Sequence, residues 1–180
     1  MKFCPDCGQP VELRIPAGDN LPRAVCTACG AIHYDNPRVV VGCVPEWEGR
    51  ILLCRRAIAP RRGYWTTPAG FLENGESLQT GAARESLEEA QAQVVIGSLL
   101  SISNVLHARQ VHVNFRARLI DGRYGVGAES LESALYEEQQ IPWDEIAFPS
   151  ILFALRSYFD DRRAGLEQVH INDIERPLRR

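Results

Sequence analysis

The sequence predicts an α/β fold, with a mixed sheet between two main helices, preceded by a small four-cysteine ribbon. Two observations carry this prediction. Two Cys-x2-Cys-Gly pairs stand near the N-terminus, and segments with strand and helix periodicity alternate through the rest of the chain. We expect the ribbon to span residues 1–36 and the α/β domain to span residues 37–180.

Length and composition exclude several classes of protein. The chain has 180 residues, 45% of them hydrophobic, which suits one ordinary domain plus an appendage. A net charge of -3 gives no general attraction to nucleic acid, so we do not expect a nucleic-acid partner. The sequence has neither an apolar run long enough to span a membrane nor an apolar signal region, so we expect a cytoplasmic protein. Thiols stay reduced there, and Cys43 and Cys54, inside apolar runs, should be buried in strands.

The first structural element is the cysteine ribbon. Cys4 and Cys7 form one pair, Cys26 and Cys29 the other, and 18 residues separate them. Four thiolates satisfy a tetrahedral Zn²⁺, so we expect a structural zinc site, with His33 as a weaker competitor for a ligand position. Because the ribbon carries few basic residues, we expect it to serve as a scaffold or a homodimer contact.

Strands should follow the ribbon. Residues 38–44 and 51–56 predict a hairpin across a turn at 48–50. Residues 94–96 and 99–105 predict two short strands. Residues 110–120 alternate apolar and polar side chains, which predicts a half-buried strand.

Two helices are predicted. The first should begin at Ser77, which can cap it, and end near Gln91. Its expected apolar side comprises Leu78, Ala82, Ala83, Leu87 and Ala90. The second should span residues 150–165, where Gly165 suits a C-terminal cap.

Three carboxylates on the first helix are the main functional signal. Glu85, Glu88 and Glu89 fall at i, i+3 and i+4, so they share one face and repel one another. A hard divalent cation, Mg²⁺ or Mn²⁺, would offset that repulsion. The alternative is a solvated acidic helix face.

The surrounding residues resemble the box of the Nudix family, written G-x5-E-x7-R-E-U-x-E-E-x-G-U with U aliphatic. The matching positions are Gly70, Glu76, Arg84, Glu85, Glu88 and Glu89. Ser86, Gln91 and Ala92 depart from the box, and we expect these changes to affect packing and the helix exit more than catalysis. The resemblance implies a Nudix α/β/α sandwich and a Mg²⁺-dependent hydrolase.

The resemblance also implies roles for the matching residues. Glu85, Glu88 and Glu89 would bind the catalytic metal together with the carbonyl of Ala69, where Gly70 allows a tight turn. Arg84 would hold a carboxylate in position, and Glu76 would orient Arg84 or bind metal weakly. The family often has a further carboxylate outside the box, for which we favour Glu132 and then Glu129.

Substrate contacts are expected near the box. Arg55 and Arg56, with Arg61 and Arg62, could clamp a diphosphate, although surface arginines on a hairpin are an equal alternative. Tyr64 and Phe71 could stack on a base, whereas Trp65 suits the core. His107 and His112 are weaker candidates, for which solvent exposure is the default.

The similarity extends over nearly the whole chain, through residues 36–43, 65–70, 129–132 and 141–143. The sequence is similar to those of the zinc-ribbon Nudix proteins that split ADP-ribose and FAD. This resemblance implies a small-molecule nucleotide substrate. NADH or capped RNA is the alternative substrate, although the S-Q-P-W-P-F-P-x-S stretch of the NADH enzymes is absent after the box. A non-catalytic nucleotide sensor is the third alternative, which the intact carboxylates disfavour.

Overall fold

The computed structural model describes residues 1–176. These form two compact units, the first ending at Pro37 and the second beginning at Arg38. The first unit is a three-stranded antiparallel sheet of β1 (Val11–Arg14), β2 (Arg23–Cys26) and β3 (Ile32–His33), in that order. Cys26 ends β2 and the other three cysteines lie outside the strands, so this unit is a four-cysteine ribbon.

The second unit is a mixed eight-stranded sheet with one long helix on each face. Its central strands run in the order β10-β5-β4-β9-β8-β11, with β6 paired to β5 and β7 paired to β4. The β4–β9 and β8–β11 pairs are parallel and the others antiparallel. The elements are β4 (Arg38–Trp47), β5 (Arg50–Arg56), β6 (Trp65–Thr66), β7 (Ala69–Phe71), α1 (Leu78–Ala90), β8 (Val94–Val105), β9 (Gln110–Leu119), β10 (Ser130–Tyr136), α2 (Pro149–Ala164) and β11 (His170–Ile174).

The two faces of the sheet bury different clusters. The face under α1 packs Val41, Cys43, Val113, Phe115 and Ala117 against Ala82. The face under α2 holds the larger cluster, whose members are Val44, Ile51, Leu53, Trp65, Leu100, Ile141, Ile146, Ile151, Ala154, Leu155 and Phe159. The expected α/β/α sandwich is therefore confirmed, as is the core position of Trp65. Cys43 and Cys54 are buried in strands as expected.

Both predicted helices form at the expected places. Ser77 caps α1 by accepting a hydrogen bond from the Thr80 amide at 3.1 Å. Gly165 ends α2 in the left-handed conformation. Among residues 1–176, no helix combines the length and the hydropathy needed to cross a membrane.

Three local predictions were wrong. The two short strands are one strand, β8, in which an irregularity between Ile96 and Leu99 absorbs the break in pattern. Part of the polar face of β9 is enclosed: Asn114 is only 2% exposed and His112 contacts Ser150 of α2, whereas Arg118 stays exposed. On α1, Leu87 is 51% exposed while Glu85 and Glu89 are buried, because the carboxylates turn toward β7.

A glycine-rich loop closes the C-terminal end of α1. The amide of Gly127 donates to the Glu89 carbonyl at 3.0 Å, and the Ser130 hydroxyl donates to the same carbonyl at 2.8 Å. A Cβ at Gly127 would lie 1.8 Å from the Glu88 carbonyl oxygen. The backbone of Gly127 does not have positive φ, so its requirement for glycine comes from this close approach alone.

Replacing this glycine tests the contact. We expect Gly127→Ala to lower the free energy of unfolding by at least about 2 kcal/mol, because a backbone carbonyl cannot swing away from the added methyl group. Urea unfolding followed by tryptophan fluorescence measures it, since all three tryptophans lie in the second unit. Ala128→Ser, at an exposed neighbour, is the control and should stay near wild type. Equal stability of Gly127→Ala and wild type would contradict this account.

Candidate active site

Arg84 is the centre of an ion-pair network on α1. Its guanidinium makes two hydrogen bonds to Glu76, at 3.1 and 2.8 Å, one to Glu85 at 2.7 Å and one to Glu88 at 3.0 Å. A fifth reaches the Phe71 carbonyl at 3.1 Å. One cation therefore reduces the repulsion within the carboxylate cluster and ties the helix to β7.

Two residues of β7 hold the buried carboxylates. The Ala69 amide donates to Glu89 Oε2 at 3.1 Å. Glu85 lies so close to Gly70 that a Cβ there would be 2.2 Å from Glu85 Oε1. The expected role of Gly70 is to permit a tight turn, whereas in the structure Gly70 makes room for this carboxylate.

Burial changes the acidity of these groups. It raises the pKa of Glu85, against the opposing effect of Arg84, and raises the pKa of Glu89 to about 7. Arg84, through its hydrogen bonds, lowers the pKa of Glu76. The cluster therefore contains two partly desolvated acids that a cation would stabilise in ionised form.

The two carboxylates outside the box lie in different surroundings. Glu132 lies in β10 and faces Arg55, with 3.7 Å between Glu132 Oε2 and Arg55 Nη1. Glu129, at the end of the glycine-rich loop, contributes to raising the pKa of both Glu85 and Glu89. Gly127 and Ser130, on either side of Glu129, both donate to the Glu89 carbonyl, so this loop lies against the end of α1.

A cavity of about 650 Å³ opens beside the cluster on the α2 side of the sheet. Ala69, Gly70, Phe71 and Arg56 line it. Arg55 and Tyr64 are not among its lining residues. Arg55 instead donates to the Gly63 carbonyl at 2.9 Å. The Arg61 guanidinium lies over the Tyr64 ring, 4.4 Å from the ring centroid.

Three further candidates, Arg61, His107 and His112, also line the cavity. Arg61 reaches it from a left-handed backbone position with φ of 64°, and its Nε donates to the Ala147 carbonyl at 3.0 Å. The alternation of β9 had placed His112 on the polar face, but only the packing of α2 shows that this part of the face is enclosed.

His112 is the clearest departure from the expected solvated side chain. Its Nδ1 lies 2.8 Å from the Ser150 hydroxyl and its Nε2 lies 2.9 Å from Gln110 Oε1. Burial lowers the pKa of His112 to about 4, so the imidazole is neutral at physiological pH.

The four ribbon cysteines form a second cluster. Sulfur–sulfur distances are 3.8 Å for Cys4–Cys29, 3.5 Å for Cys7–Cys26 and 3.6 Å for Cys7–Cys29. Four sulfurs about 2.3 Å from a central ion would be about 3.8 Å apart, so the spacing suits tetrahedral coordination. His33 Nε2 lies 3.3 Å from Cys4 Sγ, beside the four sulfurs.

Comparison with known proteins decides the family. A model described as NUDIX domain matches residues 36–147, and one described as Nudix N-terminal matches residues 2–35. The chain belongs to the Nudix family. A NUDIX hydrolase crystal structure from Nitrosomonas europaea is 53% identical, with a TM-score of 0.94, over 98% of this chain and 100% of that one.

Curated relatives differ in the substrate that they name. An NAD-capped RNA hydrolase NudC from Stutzerimonas stutzeri is 30% identical over 136 residues, which is 74% of this chain and 46% of that protein. An ADP-ribose pyrophosphatase from Methanocaldococcus jannaschii is 26% identical over 113 residues, which is 61% of this chain and 67% of that protein. The chain spans less than half the length of the NudC relatives that it matches.

The three departures from the Nudix box have local structural explanations. Ser86 is fully buried and lies 3.1 Å from Cys43 Sγ, while its hydroxyl also donates to the Ala82 carbonyl at 3.0 Å. Gln91 adopts the left-handed conformation that the box glycine would take freely, and its amide nitrogen donates to the Val126 carbonyl at 3.0 Å. Ala92 is fully buried. All three residues act in packing or at the helix exit.

The raised pKa of Glu89 predicts a pH effect on stability. A carboxyl with a pKa of about 7 when folded and 4.5 when unfolded contributes stability below pH 4.5 and loses it as pH rises through 7. Metal-free protein should therefore lose on the order of 2–3 kcal/mol from this group between pH 4.5 and pH 8. Glu89→Gln keeps an acceptor for the Ala69 amide and should remove the loss.

Urea unfolding in EDTA at several pH values measures the difference between the two proteins. Glu88→Gln is the matched control, because the Glu88 side chain is 57% exposed and its removal should leave the pH dependence in place. Parallel pH profiles for Glu89→Gln and wild type would show that Glu89 is not the titrating group.

Proposed function

We propose that this protein is a divalent-metal-dependent pyrophosphohydrolase that cleaves a nucleoside diphosphate derivative by attack of water at phosphorus. The observation that carries the proposal is the position of the buried Glu85 and Glu89 next to Ala69 and Gly70, which also line the cavity. Charge-binding groups and a substrate-sized cavity therefore share one wall.

Glu85, Glu88 and Glu89 would hold Mg²⁺ or Mn²⁺, with the Ala69 carbonyl as a further ligand. Such an ion neutralises charge on a diphosphate and lowers the pKa of bound water. Their oxygen donors suit either ion. Arg84, already bonded to Glu85 and Glu88, positions these carboxylates, and Glu76 positions Arg84. Arg84 and Glu76 act through the ligands and need no contact with substrate.

Glu129 is the proposed general base that accepts the proton of the attacking water. The contacts of Gly127 and Ser130 with the Glu89 carbonyl, which place the loop that carries Glu129, support this assignment, and the pairing of Glu132 with Arg55 supports a structural role for Glu132. Arg56 and Arg61, both lining the cavity, are the proposed diphosphate contacts, and Phe71 is the proposed stacking surface for a base.

ADP-ribose or FAD is the proposed substrate, supported by the likeness to a named ADP-ribose pyrophosphatase. Capped RNA or NADH is the second candidate, because the NudC relatives are named NAD-capped RNA hydrolases. A purely sensory role is disfavoured by the intact carboxylate cluster.

One assay separates these functions. The purified chain is incubated with Mg²⁺ and ADP-ribose, FAD, NADH or NAD-capped RNA, and the products are separated by chromatography. We expect AMP and ribose 5-phosphate from ADP-ribose, or AMP and FMN from FAD. Faster turnover of capped RNA would select the second candidate, and no turnover of any substrate would overturn the hydrolase proposal.

Three variants test the assigned roles on the best substrate. Glu89→Gln should lower kcat by at least about 100-fold, because it removes a charged ligand of the catalytic metal. Glu129→Gln should lower kcat by about 100-fold or more, as expected for a general base, and Glu132→Gln by less than about threefold. The reverse order for Glu129→Gln and Glu132→Gln would restore Glu132 as the base.

We also propose that residues 1–36 form a zinc-binding domain separate from the Nudix domain at 37–180. We further propose that the protein is cytoplasmic, because thiols stay reduced in the cytoplasm. The four-sulfur geometry supports zinc. We expect one Zn²⁺ per chain by elemental analysis, and Cys26→Ser should lose it. His33→Ala should retain zinc, since four thiolates complete the site. Zinc loss in His33→Ala would make the histidine a ligand.

A further inference from the structure

The cavity runs across three strands, away from the carboxylate cluster. Phe71 on β7 pairs with Val40 on β4, and Val40 pairs with His112 on β9. All three residues line the cavity. Neighbouring strands lie about 4.8 Å apart, so His112 lies about 10 Å across the sheet from Phe71. Gly70, which adjoins Phe71, contacts Glu85, so His112 marks the part of the cavity remote from the proposed metal site.

Three polar side chains meet in this remote part. Gln110 Oε1 accepts a hydrogen bond from His112 Nε2 at 2.9 Å, and His112 Nδ1 in turn accepts one from the Ser150 hydroxyl at 2.8 Å. Both nitrogens of the imidazole are therefore occupied. The amide nitrogen of Gln110 has no hydrogen-bond partner anywhere in residues 1–176, and Gln110 lines the cavity.

Apolar side chains lie near this amide. Val105, which pairs with Gln110, and Ile151 line the same cavity, and His112 is neutral because burial holds its pKa at about 4. The positive charges of the cavity belong to Arg56 and Arg61, which are proposed to hold the diphosphate. A planar, uncharged ring suits the apolar wall, and an amide donor suits an acceptor atom on the edge of that ring.

We propose that Gln110 selects the nucleobase of the substrate by donating a hydrogen bond to an acceptor on the base edge. His112 and Ser150 are positioning residues, which fix the orientation of the amide. The inference rests on the proposed function, because it takes the ligand to be a nucleotide. It assigns to β9 and the first turn of α2 a specificity role that lies outside the Nudix box.

Binding of nucleoside monophosphates tests the proposal without catalysis. AMP, IMP and UMP are titrated calorimetrically into the wild type, Gln110→Ala, Gln110→Glu and, as control, Gln139→Ala at an exposed position. We expect wild type and Gln139→Ala to prefer one base by about fivefold or more. Gln110→Ala should bind the preferred nucleotide about five- to tenfold more weakly and discriminate less than twofold.

Gln110→Glu separates base recognition from a merely structural role. It retains an acceptor for His112 but has no donor in its ionised form, so it should lose selectivity as Gln110→Ala does while keeping the thermal unfolding midpoint of wild type. Selectivity retained in both variants would overturn the proposal. An equal loss of affinity for all three nucleotides would also overturn it, because that result would indicate a contact to ribose or phosphate. A wild type that shows no base preference would overturn it as well.

Turnover distinguishes failure of this inference from failure of the proposed function. With ADP-ribose and its hypoxanthine and uracil counterparts, the Gln110 variants should raise KM for the preferred substrate and leave kcat within about twofold of wild type. A wild type that binds the monophosphates selectively but hydrolyses none of the substrates would refute the hydrolase function alone. Active variants with unchanged KM ratios would refute the role of Gln110 alone.

Discussion

The ion pairs of Arg84 are the interaction on which the site depends. Without this cation, three carboxylates on one helix face would repel one another, and two of them are also partly desolvated. Arg84 shares one guanidinium among Glu76, Glu85 and Glu88 and bonds to the Phe71 carbonyl, so charge compensation and helix placement are achieved by the same side chain. The remaining unfavourable charge is what the proposed divalent ion would offset.

Close backbone approach is the second constraint. Gly70 leaves room for the Glu85 carboxylate, and Gly127 brings the following loop against the last turn of α1. Both contacts act on the helix that carries the acidic residues, one beside its middle and one at its end. The same loop leads directly to Glu129, so the packing of Gly127 also sets the distance between the proposed base and the metal ligands.

The two faces of the sheet contact different parts of the molecule. Under α1, β9 presents apolar side chains that anchor the acidic helix. Under α2, the same strand presents Gln110, His112 and Asn114, whose polar atoms are satisfied by neighbouring side chains or lie in the cavity. A strand that alternates cleanly in sequence therefore supports catalysis with one face and the proposed substrate selection with the other.

The sequence by itself determined the fold class, the ribbon cysteines and the box residues, because periodicity and fixed spacing are local properties that survive without tertiary information. It also determined both ends of α1, through Ser77 and the residues after Ala90. Tertiary structure decided the enclosure of His112, the pairing of Glu132 with Arg55 and the packing of the loop at 127–130 against α1, because each depends on elements distant in the chain. The sequence determines the charge and the hydrogen-bonding groups of each side chain. The burial of a side chain and the residue to which it bonds are determined only when strands and helices pack.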